Sequence, residues 1–207
     1  MTEKALKLDF AHQLHALCPI VDTLRLMFGA ARHAFNRSSK AELEELAKLH
    51  DTFSLDIDVF FEDVEKGLEK AGASDKPALL RLQGILTHLE IVGANISAMS
   101  DPIRRKIKFG ATFADVDFYY LNNLFTQHTG FMRGLVDVFK HDDSMLRSYL
   151  LHESQKIIEQ CYRAGVDHET RMVDGFGQPE AWSIYMSILD HTRIILRHVM
   201  DIVKALG

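Results

Sequence analysis

The chain states the same short phrases twice, about 103 residues apart, and that limits it to folds built from two like halves. Gly84-Ile85-Leu86-Thr87-His88 is answered by Ser187-Ile188-Leu189-Asp190-His191, and His88 and His191 lie 103 positions apart. Phe10-Ala11 and Phe113-Ala114 share that offset, and Leu49-His50-Asp51-Thr52 meets Leu151-His152-Glu153-Ser154 at 102. Three matches in one order at nearly one offset indicate an internal duplication. The period is too long for a solenoid repeat, so each half, residues 1–109 and 110–207, is expected to be a small bundle.

The apolar spacing says what kind of bundle. Leu43, Leu46, Phe53, Ile57, Phe60, Val64 and Leu68 recur every three to four residues, as do Leu82, Ile85, Leu86, Leu89, Val92, Ile96 and Met99. Leu146, Leu150, Ile157 and Cys161 form a third stripe, and Tyr185, Ile188, Leu189, Leu196, Val199, Ile202 and Leu206 a fourth. Nothing alternates with a period of two. A first helix from about Glu3 to Phe35 should kink at Pro19, which lacks a backbone donor. Ser39 and Glu42 have capping-box spacing, as do Thr112 and Asp115. Asp101-Pro102 should bend the third helix, and Gly175-Phe176-Gly177-Gln178-Pro179 reads as a loop. Short turns make neighbouring helices antiparallel. The expected fold is all-α, six long antiparallel helices forming a tandem duplication of a three-helix bundle.

A net charge of −5 argues against a nucleic-acid partner, which demands a clustered basic face. Cys18 and Cys161 are the two cysteines and stand in no metal-binding spacing. The N-terminal residues lack a signal-like apolar run, and no stretch approaches the roughly 20 apolar residues of a membrane span. The reading is a soluble, cytoplasmic protein. No glycine-rich phosphate loop, nucleophile elbow or HExxH appears.

Leu89-Glu90-Ile91-Val92-Gly93-Ala94-Asn95-Ile96 resembles the L-E-R-I-G-D-x-x-N-I region of the PhoU-like family of phosphate-uptake regulators, in shortened form. The stretch from Ile103 to Ala114 resembles the link between repeats in PhoU-type domains attached to sodium/phosphate cotransporters. The resemblance implies a non-enzymatic cytoplasmic regulator that contacts a phosphate transporter or a sensor kinase, peripheral to the membrane at most. Several members carry metal clusters on acidic E/D-xxx-D motifs. Here Glu90 survives, but Ala94 stands where the family has its second acid, and the second half offers Thr192 and Leu196 or Arg193 and Arg197. Hard cations need several oxygen ligands, so neither a metal cluster nor another cofactor is expected.

Other candidates come from the residues themselves. Arg104, Arg105, Lys106 and Lys108 are the one basic cluster, placed near the junction of the halves to meet an acidic partner or lipid headgroups, or simply to face water. Counting back from the turns sets Asp51 level with Arg25 and Glu153 level with Arg133, which predicts an internal ion pair in each half. The competing function is a metal-binding helical-bundle enzyme or metal sensor using His152, Glu153 and His198, since His198 falls level with residue 154 across a turn. His50 and His88 do not combine in this way, being on the order of 16 Å apart along the bundle. Asp167-His168-Glu169 reads as a polar helix end, and Tyr119, Tyr120 and Trp182 as core aromatics. Leu24, Leu26, Met27 and Phe28 exceed one apolar stripe, which suggests an interface and a homodimer.

Overall fold

The computed structural model describes residues 10–173 and 178–207. The predicted helix start at Glu3 and most of the Gly175–Pro179 loop lie outside them. The described residues contain eight helices and no strand: α1 (Phe10–Ala16), α2 (Cys18–Arg37), α3 (Lys40–Lys70), α4 (Lys76–Ala98), α5 (Ser100–Phe109), α6 (Asp115–His141), α7 (Ser144–Val173) and α8 (Pro179–Ala205). Two pairs are single long helices with a break, so the count of six holds. α1 and α2 part at Leu17, just before Pro19, and α4 and α5 part at Met99, just before Pro102. Each proline withholds the donor its helix needs four residues back, and its ring presses on that carbonyl.

Local chemistry sets the remaining ends. Ser39 Oγ accepts from the Glu42 amide at 3.3 Å, as its spacing predicts. Asp143 caps α7 by accepting from the Met145 and Leu146 amides at 2.8 and 3.1 Å. Thr112 is not a cap: α6 begins after Ala114 with no side-chain cap. Gly110 closes α5 at φ +60°, a left-handed conformation that glycine adopts without strain. We propose this residue as the division between the halves.

α2 packs on α3 and α6, α4 packs on α8, and α5 also lies on α8; α3 and α7 flank this inner group of helices. The predicted stripes face the core. Leu82, Ile85, Leu86, Leu89, Val92, Ile96 and Met99 are all buried, as are Leu43, Leu46, Phe53, Ile57 and Val64 on α3. α1 and α2 together are long and apolar enough to cross a membrane by length and composition, against the sequence expectation; more than half of that window is buried inside the protein. Leu24, Met27 and Phe28 all face the core, leaving Leu26 exposed. The excess apolar character of this helix therefore serves the core and does not mark a homodimer interface. Tyr119 and Trp182, expected inside, are exposed.

α4 and α8 run antiparallel along the centre. His88 meets His198 and Asn95 meets His191, and the two residue numbers add to 286 in both pairs. A shift of 103 carries His88 to His191 and Asn95 to His198, so one contact becomes the other. A twofold relation between α4 and α8 has this property.

Candidate functional site

The basic segment divides by helix face. Pro102, Ile103 and Lys106 share the inner side of α5, so Lys106 is buried. Its Nζ lies 2.9 Å from Ser38 Oγ and 5.1 Å from the centre of the Phe35 ring, joining α5 to the end of α2. Burial lowers its proton affinity. Arg105 reaches Asp101 at 3.3 Å and donates to Ser183 Oγ at 3.2 Å. Both cations act inside the molecule, a correction to the four-residue docking patch. Arg104 and Lys108 point outward. With Lys40, Leu43, Glu44 and Ile107 they line a cavity of about 750 Å³ between α3 and α5. Three cations and one carboxylate around an apolar floor make a cleft suited to an acidic segment.

The candidate metal set of His152, Glu153 and His198 does not assemble. His152 is exposed. Glu153 pairs with Lys156 of its own helix at 3.2 Å, not with Arg133, although both line one cavity of about 350 Å³ between α6 and α7. Asp51 is exposed, and Arg25 pairs with Asp22 at 3.0 Å, so the other expected internal pair is absent too. His198 instead faces His88, with the two Nδ1 atoms 2.9 Å apart. Counting from the turns sets His88 level only with helices of its own half, whereas its partner comes from the other half.

Glu90 and Ala94 are both exposed on α4. Glu90 belongs to no group of three His, Cys, Asp or Glu ligands within ion-binding reach among the described residues. One carboxylate beside a methyl group does not fit an acidic metal cluster.

A buried polar cluster that the sequence reading missed lies where α6, α7 and α8 meet. Asp117, in the first turn of α6, bonds His168 Nδ1 at 2.9 Å and also pairs with Arg171. Asp117 and His168 are both buried, and His168 stacks on Tyr185 with ring centres 4.3 Å apart. Burial pushes the Tyr185 hydroxyl well above its ordinary pKa. A carboxylate shared by two donors from one helix is a structural clasp. His168 is thus no polar helix end; it continues the inward face of Cys161 and Gly165, a spacing that marks it in the sequence. Cys18 and Cys161 are both free and buried, and burial pushes the Cys161 thiol up to about 11.

The described residues thus offer one cationic cleft, one histidine pair and one buried clasp, carried on two sets of three helices. This is the PhoU fold. The crystal structure of PhoU from Pseudomonas aeruginosa matches with a TM-score of 0.83, covering 95% of this chain and 95% of that one at 12% identity. That of the phosphate transport system regulatory protein PhoU from Streptococcus pneumoniae matches with a TM-score of 0.79, covering 96% and 95% at 13% identity. No protein-family model and no curated protein matches the sequence.

Proposed function

We propose that this chain is a non-enzymatic regulator of phosphate transport or phosphate signalling, working in the cytoplasm through contact with a transporter or sensor-kinase component. The observation that carries the reading is the likeness of the fold, over nearly its whole length, to two proteins named PhoU, one of them titled a phosphate transport regulator. The docking surface in this reading is the cleft of Lys40, Arg104 and Lys108, which an acidic helix or loop of the partner enters. Exposed charges at such a rim govern encounter rate and salt dependence more than the lifetime of the complex. Co-purification from native membranes at low and high salt tests this. Arg104→Glu with Lys108→Glu should abolish the low-salt complex, while His152→Ala leaves it intact. Phosphate uptake and phosphate-responsive expression that are unchanged after deletion of the gene would refute the role.

A further inference from the structure

We propose that His88, His198 and Asp201 form a binding site for a divalent transition-metal ion of the zinc class, clasping α4 of one half to α8 of the other. The proposal stands apart from the regulatory reading, because it rests on the histidine pair and not on the fold match.

The ligand atoms of the three residues all lie within 4.8 Å of one another, and all three side chains are half-buried. Asp201 follows His198 by three residues on α8, so both project from one face; His88 comes from α4 opposite. The imidazole centres are 5.1 Å apart and tilted by 41°, and the facing atoms are Nδ1 and Nδ1 at 2.9 Å. One ring must donate to the other, or both present lone pairs to the same point. In the second case a cation between them turns repulsion into ligation. Zinc–nitrogen bonds of about 2.05 Å meeting at a tetrahedral angle put the two nitrogens about 3.3 Å apart, so the rings need part by only about 0.4 Å. Asp201 now pairs with Lys204 at 3.1 Å on the exposed side of the helix. Such a pair contributes little and yields readily to a metal.

The 103-residue shift supplies an internal comparison. It carries His88, His198 and Asp201 to His191, Asn95 and Ala98. At that second position His191 Nδ1 lies 3.0 Å from Asn95 Oδ1, and the same amide donates to Ile91 O at 2.9 Å. The amide fixes the imidazole as a donor, and no carboxylate stands at Ala98. The same helix crossing therefore carries a complete donor set at one end and none at the other. Two imidazoles and one carboxylate with water in the fourth position suit zinc or cobalt and disfavour magnesium.

The test uses full-length protein without a histidine tag, stripped with chelator and titrated with zinc chloride by calorimetry and with cobalt by visible spectroscopy. One ion per chain and the ligand-field bands of a nitrogen–oxygen cobalt site are expected. His88→Asn and His198→Asn should each remove the cobalt bands and weaken zinc binding at least about tenfold, while His191→Asn and His152→Asn leave both unchanged. In case a variant fails to fold, imidazole-nitrogen NMR of the wild type during zinc addition should shift two rings. Absence of binding, binding indifferent to His88→Asn, or no shifted imidazole pair overturns the site.

Discussion

Gly93→Ala is the substitution whose outcome the structure constrains most tightly. Inside a helix, alanine is favoured over glycine by about 1 kcal/mol, so propensity alone predicts a stabler protein. At Gly93 that gain is overwhelmed. A Cβ built there lies 2.3, 2.7 and 2.8 Å from three atoms of the Phe53 ring. Favourable carbon contacts begin near about 3.5 Å, so the ring must retreat by roughly 1 Å. Phe53 is buried at the α3–α4 contact and cannot swing into solvent. Overpacking of this kind costs about 1–3 kcal/mol, and three simultaneous clashes place it at the upper end. The net loss is about 2 kcal/mol, or about 4–8 °C in Tm for a chain of this size. Gly84 on the same helix is the control, because nothing lies within 4 Å of its added Cβ. Gly84→Ala should stabilise by up to about 1 kcal/mol. Urea unfolding followed by circular dichroism reads both. The penalty at Gly93 should shrink in a Phe53→Leu background. A Gly93→Ala protein as stable as the wild type, or stabler, refutes the close-approach argument.

His128 is fully buried, its Nδ1 donating to Leu124 O at 2.6 Å, and burial pulls its pKa from 6.5 down to about 4. The fold thus holds a neutral ring whose contribution is complete above pH 6.5 and fades as pH falls toward 4; at pH 5 the loss is about 2 kcal/mol, and His128→Leu should flatten that part of the stability–pH profile, parallel profiles counting against it. Asp117→Ala strands His168 and Arg171 and should cost about 3 kcal/mol, measured by urea unfolding; a loss under about 0.5 kcal/mol, typical of a surface change, would show that the clasp carries no load.

The helices and their buried faces were legible because a period of 3.6 residues fixes direction without any knowledge of neighbours. Leu82 through Met99 all landed inside for that reason. Polar residues were misread where charge was weighed before face. Lys106 stands three residues after Ile103 and inherits its buried side; His168 stands seven after Cys161 and inherits the same stripe. In both cases the spacing carried the answer, and the polar neighbours obscured it.

The histidine pair was beyond reach for a different reason. A turn of known position sets which residues of two consecutive helices lie level, so contacts within a half can be counted from the sequence. α4 and α8 are joined by no single turn, and nothing local sets their register. The duplication supplies only the form of the answer: a twofold relation with a 103-residue shift makes every cross-contact occur twice, the sum of the two residue numbers being the same in both. It does not supply that sum. The value 286 follows from packing between the halves, where α4 and α8 settle with His88 against His198 and Asn95 against His191. Once one such contact is known, the rest follow, including the mismatch that places Asp201 at one end of the crossing and Ala98 at the other. Departures from an internal symmetry thus mark where duplicated halves have diverged, and here the divergence gathers two imidazoles and a carboxylate at one end.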